Sequence, residues 1–187
     1  MEDFLDSWGV SLAIFVPLVG AVVMLLVPKA QEQLHKTIAL ASSLVVMLIG
    51  VLLLANFDYD ATSDLQFVVD KSWIPFINSR YIVGIDGISL PLIALTMLVV
   101  PLCIIYSWNH FPEPWNPKAF LILILVLETG MIGTFCAQDL ILFFVFFEVV
   151  LLPMYFMIGV WGGEKRRYAA MKFFLYTLFG SALMIVS

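Results

Sequence analysis

Three ionisable side chains, Glu128, Glu148 and Lys172, stand inside otherwise apolar stretches of this sequence. A charge near the centre of a bilayer costs at least about 2.5 kcal/mol on insertion scales, so each needs a reason to be there. Glu148 is the sharpest case, flanked by Leu140-Ile-Leu-Phe-Phe-Val-Phe-Phe before it and Val-Val-Leu-Leu after it. By helix rise it lies about 14 Å from Asp139, and Glu128 lies about 16 Å from the same residue on the other arm of a tight turn. Two antiparallel helices joined there set both carboxyls at similar depth. If the two face each other across about 8–10 Å, repulsion and desolvation both favour the neutral acid. A carboxyl so tuned in a dry site is equipped to take up and release a proton. The plainer alternative is a protonated Glu148 that only hydrogen-bonds a neighbouring helix.

Nearby residues bear on that chemistry. Pro153 removes the donor that the Val149 carbonyl would otherwise use, leaving a free acceptor beside Glu148 that can hold water or bend the helix. Gly130 and Thr134 form a small-xxx-small pair that permits close helix approach. Lys172 lies one to two turns from a basic loop. Its stem either lifts the ammonium to the interface or brings it toward the helix of Glu148, although an axial offset of about 10 Å argues against direct contact. Cys103 and Cys136 lack CxxC spacing and a matching His, so they read as small apolar packers rather than metal ligands or a disulfide.

The elements that must position these groups are membrane helices. The chain has 187 residues, of which 63% are hydrophobic and 12% charged, and its mean hydropathy is +1.05. Ordinary soluble domains are about half apolar. The apolar blocks 8–27, 37–54, 87–106, 119–136, 140–160 and 168–187 are each close to the roughly 20 residues that span a hydrocarbon core. The expected fold is all-α: a single polytopic bundle of about six helices, the sixth incomplete. Barrel strands would be half as long and alternating. The loop 55–85 contains a β-like run at 65–71, turn residues, and a second run at 81–83, which predicts a short outward hairpin. Asp86 before the third block suits an N-cap rather than catalysis. The five tryptophans lie near block ends, as interfacial anchors do.

Basic residues set the expected orientation, since short loops rich in Lys and Arg stay on the cytoplasmic side. Lys29 and Lys36 follow the first helix, Lys118 the third, and Lys165, Arg166 and Arg167 the fifth. The opposite side has only Lys71 and Arg80 against many carboxylates, including Asp58, Asp60, Asp64 and Asp70. The N-terminus, with acidic Glu2, Asp3 and Asp6 and no cleavage signature, therefore faces outward as part of a retained first helix. A net charge of −5 with this distribution leaves no surface for nucleic acid.

The stretch FFVFFEVVLLPMYFMIGVWGG from Phe143, continued by RYAAMKFFLYTLFGS from Arg167, and GIDGISLPL from Gly84 resemble one family. That family is chain M, or subunit 4, of the proton-pumping NADH:quinone oxidoreductase, respiratory complex I. The resemblance covers the whole chain. It implies an antiporter-like subunit of about fourteen helices that contributes one proton channel, with NADH, FMN, iron–sulfur clusters and quinone handled by other subunits and no cofactor in this chain. It places the family's proton-path glutamate on Glu148, a helix 4 acidic position on Glu128, and the helix 6 motif lysine on Lys172. Its partners are the other membrane subunits and the bilayer, and its expected location is the bacterial inner membrane. The family's essential lysine on a broken seventh helix and its inverted repeat have no counterpart here, so the sequence reads as cut within helix 6. A subunit of a multisubunit cation/proton antiporter, and a truncated chain that only packs against partners, are the competing readings.

Overall fold

The structure, a computed structural model, describes residues 5–111 and 113–186. Glu2 and Asp3 of the acidic tip and the terminal Ser187 lie outside the described residues. A π-helical turn, Leu5–Gly9, leads into α1 (Val10–Leu26), followed by α2 (Glu32–Asn56). Strand β1 (Gln66–Ile74) and strand β2 (Ser79–Ile85) are joined by one 3-10 turn, Pro75–Ile77. Then come α3 (Ser89–Ser107), α4 (Pro117–Cys136), α5 (Leu140–Trp161) and α6 (Arg166–Val186). Six helices among the described residues are long and apolar enough to cross a membrane.

Helix α4 is the hub, packing against α1, α2, α3 and α5, while α6 packs on α5. Burial on α1 recurs at Val10, Ala13, Ile14, Pro17, Gly20, Ala21 and Met24, the stripe that a 3.6-residue turn requires. The interior has two apolar clusters. One joins Val10, Ile14, Val46, Leu53, Ile93 and Ile132 to the inner hairpin residues Phe67, Val69, Val83 and Ile85. The other joins Ala21, Met24, Ala39, Val100, Ile104, Leu121 and Leu125.

The helix ends reveal why the charges are distributed as they are. An α-helix leaves four carbonyls at its C-terminus without partners, and cations are stabilised there. Lys118 Nζ donates to the carbonyls of Leu25 (3.0 Å) and Val27 (2.7 Å) at the end of α1. Lys36 Nζ donates to the Trp108 carbonyl (2.7 Å) at the end of α3, and Arg166 Nη1 to the Val160 carbonyl (2.7 Å) at the end of α5. At the opposite ends, Asp86 accepts from the amides of Ile88 (3.1 Å) and Ser89 (2.7 Å) ahead of α3. The Ser89 amide chiefly holds the Asp86 carboxyl below the usual carboxylate range. The odd-numbered helices thus run parallel, from an acidic end to a basic one.

The hairpin is antiparallel and longer than expected, extending to Ile74 on one strand and starting at Ser79 on the other. Ser72 and Arg80 pair in the ladder although neither presents an apolar inner face, and Arg80 bonds Asp70 at 2.9 Å. Helix α2 begins five residues before its apolar block because Leu34 and His35 donate to the Gln31 carbonyl, while His35 Nε2 lies 3.1 Å from the Pro28 carbonyl. Cys136 is buried in the core, but Cys103 is exposed on the outer face of α3, so the packing expected of it is absent in this chain.

Candidate functional site

Asp139 organises the junction from which both glutamate helices depart. Its carboxylate accepts from the amides of Ile141 and Leu142, both at 3.0 Å, and so caps α5. The same carboxylate accepts from Ser79 Oγ (2.9 Å) and the Arg80 amide (3.1 Å), tying the cap to β2. The Gln138 amide donates to the Ile82 carbonyl at 2.9 Å, and Val83 bridges Ala137. Partial burial raises the Asp139 carboxyl, but these four hydrogen bonds outweigh it and leave the group below the usual aspartate range.

From that junction α4 and α5 run antiparallel in tight contact. A Cβ on Gly133 would fall 2.3 Å from Cδ1 of Phe146, and one on Gly130 would fall 2.7 Å from Cγ2 of Val150. The approach therefore runs through Gly130 and Gly133. Thr134, the expected second small position, instead turns its hydroxyl onto the Gly130 carbonyl at 2.7 Å within its own helix.

Glu128 and Glu148 are each eight residues inside their helix ends, about 12 Å from the junction by helix rise. Equal depth holds, yet the two carboxyls are not brought together. Each glutamate stands two residues, about 200° of helix, from the contact residues on its own helix, namely Gly130 for Glu128 and Phe146 and Val150 for Glu148. Glu128 instead shares the stripe Leu121, Leu125, Ile132 and Cys136, which faces α1 and α2. It is fully buried, and neither carboxyl oxygen has a hydrogen-bond partner among the described residues; the adjacent Thr129 hydroxyl lacks one as well.

Glu148 faces the other way, toward α6. Its Oε1 accepts a hydrogen bond from Ser181 Oγ. Ser181 and Ala170 are the buried residues of α6, whose remaining surface is largely open. Ser181 is the partner of Glu148 that reading the sequence missed. Register identifies it: Ser181 lies 15 residues from the basic end of α6 and Glu148 lies 13 from the basic end of α5, so the two stand at similar depth.

Lys172 is exposed, and its ammonium lies 5.9 Å from the ring centre of Tyr168, one turn closer to the basic end. Nine residues, about half a revolution beyond a whole number of turns, separate it from Ser181. It therefore occupies the side of α6 opposite the Glu148 contact. Pro153 is buried within α5, one turn beyond Glu148.

Six membrane-length helices, a hub helix with a buried carboxyl and a second carboxyl held between helices define a polytopic membrane protein with ionisable groups inside its bundle. Residues 12–134 match the family described as NADH-ubiquinone oxidoreductase chain 4, amino terminus, and residues 137–187 match NADH:quinone oxidoreductase/Mrp antiporter, TM. The chain belongs to the chain 4, or subunit M, family of these oxidoreductases.

The chain is 44% identical over 181 residues to NADH-quinone oxidoreductase subunit M of Rhodobacter capsulatus, covering 95% of this chain and 34% of that protein. It is 39% identical over 189 residues to NADH-ubiquinone oxidoreductase chain 4 of Arabidopsis thaliana, covering 100% of this chain and 38% of that one. Its fold superposes on a chain of respiratory complex I from Thermus thermophilus with a TM-score of 0.78 at 27% identity, covering 95% of this chain and 34% of that chain. The chain thus spans a little over a third of the length of these relatives.

Proposed function

We propose that this chain supplies part of a proton-translocation path in a membrane-bound NADH:quinone oxidoreductase, with Glu148 as the group that binds and releases the proton. The observation that carries this reading is a carboxyl about 12 Å inside α5, met by one hydroxyl from a separate helix. Among the described residues the ion pair is Arg80 with Asp70, so no cation neutralises Glu148. A permanently ionised group there would cost at least about 2.5 kcal/mol, whereas one that alternates between acid and carboxylate bears that cost only transiently.

Glu128 enters this reading as a second proton-binding carboxyl, separated from Glu148 by the full width of α4 and α5, so that any exchange between them runs through water or the remaining subunit. Lys172 enters it as a charge set toward the basic surface rather than as a direct partner of Glu148. Electron transfer from NADH to quinone belongs to other subunits. Among the described residues no group of three or more His, Cys, Asp or Glu is placed to hold a metal ion, and Cys103 and Cys136 lie on different helices, a donor set that does not fit an iron–sulfur cluster. The reading places the chain in a bacterial inner membrane beside other membrane subunits of the complex, with the basic loops cytoplasmic.

The family matching residues 137–187 also carries the antiporter name, but the match of residues 12–134 to chain 4 favours the oxidoreductase. The test is Glu148→Gln in the full-length subunit, assembled in its complex in membrane vesicles. NADH-driven proton pumping should fall about a hundredfold or more, the lower end of what loss of a proton-transferring group produces. Unchanged pumping in an assembled complex would sink both the oxidoreductase and antiporter versions of the proton path and leave a structural subunit.

A further inference from the structure

Ser181 has one hydroxyl proton and two acceptors within reach. One is Glu148 Oε1 on the neighbouring helix, and the other is the Leu178 carbonyl in its own helix, 3.1 Å away. The residue is 4% exposed, on a helix that otherwise buries only Ala170 among its described residues. A serine turned inward from so open a helix, at the depth of a carboxyl, is placed by that carboxyl rather than by general packing.

We propose that Ser181 is a positioning residue that keeps Glu148 hydrogen-bonded in both of its charge states. With Glu148 ionised, the Ser181 hydroxyl donates to the carboxylate. When Glu148 takes up a proton from the path, its new O–H donates to Ser181 Oγ, and the serine hydrogen turns to the Leu178 carbonyl. Ser181 keeps its own proton throughout; the one proton gained or lost resides on Glu148. A hydroxyl suits this role because it both donates and accepts and rotates freely. A backbone amide would only donate and a carbonyl would only accept. Leaving a half-buried carboxylate inside a membrane helix without its donor is the costly event that this rotation avoids.

The other ionisable groups on the elements packed against α5 leave Ser181 as the partner. On α4, Glu128 is turned to the α1 and α2 side and Cys136 is buried in the cluster that includes the hairpin residues. On β2, Arg80 pairs with Asp70 and Tyr81 lies 3.0 Å from Ser11 Oγ. On α6, Lys172 lies on the opposite side, and Arg166 is bound to the Val160 carbonyl at 2.7 Å. Arg167 lines a separate recess with Tyr155 and Met171, and Tyr168 and Tyr176 are exposed. Tyr155, two turns along α5, has its hydroxyl 3.8 Å from the Met171 sulfur.

The inference rests on the proton-path reading of Glu148, and its test separates the two. Infrared difference spectra of the assembled complex, recorded during NADH turnover, give the carboxylic C=O band of Glu148 as the band lost in Glu148→Gln. In Ser181→Ala that band should move to higher frequency, as it does for an acid without a hydrogen bond, and pumping should fall about tenfold, the effect of one bond to a charged group. Thr and Val have nearly the same shape and differ in the hydroxyl. Ser181→Thr should therefore restore both band and pumping, while Ser181→Val should not. A band unmoved in Ser181→Ala, or equal behaviour of the Thr and Val variants in assembled complexes, would overturn the proposal. A moved band in Ser181→Ala together with unchanged pumping in Glu148→Gln would support the contact and overturn the proton-path reading instead.

Discussion

Glu128 shows what a buried carboxyl without a partner contributes. Its volume fills the face between Leu125 and Ile132 at the seam of the two apolar clusters, but neither oxygen is hydrogen-bonded among the described residues. Replacing an unsatisfied buried polar group by an apolar one of similar size is close to neutral or stabilising, whereas truncating it opens a cavity at a cost of about 2–5 kcal/mol. Glu128→Leu should therefore assemble at wild-type level and melt at or above the wild-type temperature in a detergent thermal-shift assay, while Glu128→Ala should melt lower. If the carboxyl is retained for proton binding, Glu128→Leu should still pump several-fold more slowly despite its stability. Equal pumping and stability would assign the residue to packing alone. Both carboxyls were legible in the sequence because a lone charge in an apolar block is conspicuous. Their directions were not, since a tight turn fixes depth but leaves rotation about each helix axis to be decided by packing, here by Gly130 and Gly133 against Phe146 and Val150.

The helices were readable from block length and hydropathy, and one cap, Asp86, from its place before the third block. What the sequence concealed was the linkage between elements, of which Asp139 is the clearest instance. Read alone it is a turn residue; in the fold it is a cap whose second carboxylate oxygen holds β2 through Arg80. Ser79 and Arg80 are some 60 residues away in the chain, so no local pattern announces them. Asp139→Ala removes the cap and frees three backbone amides, those of Arg80, Ile141 and Leu142, and should cost about 0.5–2 kcal/mol, read as a lower melting temperature. Asp139→Asn, which retains one acceptor, should lose less. The pH dependence follows from the lowered carboxyl. A group held below its unfolded value contributes stability that is present above the ordinary aspartate range and lost as pH falls through the folded value. The wild-type melting temperature should therefore converge on that of Asp139→Ala in strongly acidic buffer and stay apart from it at neutral pH.

Across the whole molecule, three of the six cations from which the orientation is read also terminate helices. Lys36, Lys118 and Arg166 each donate to carbonyls at the end of α3, α1 or α5, so the basic side is the C-terminal side of every odd-numbered helix. Lys36 also sits 5.3 Å from the ring centre of Phe111 and 5.9 Å from those of Trp108 and Trp115, which fixes the α3–α4 loop against α2. Removing one such charge would thus alter packing as well as topology, and charge deletion is a poor test of orientation. Accessibility of single cysteines avoids the difficulty. A Cβ on Gly163, in the loop between α5 and α6, meets nothing within 4 Å, and Ser63, in the loop before β1, is exposed. With Cys103→Ser and Cys136→Ala as background, a membrane-impermeant maleimide should label Ser63→Cys in spheroplasts and leave Gly163→Cys unlabelled. Inverted vesicles should give the reverse. Labelling of Gly163→Cys from outside would invert the orientation and, on the proposed function, place the span of about 14 Å from Asp139 to Glu148 on the proton-uptake side rather than the release side.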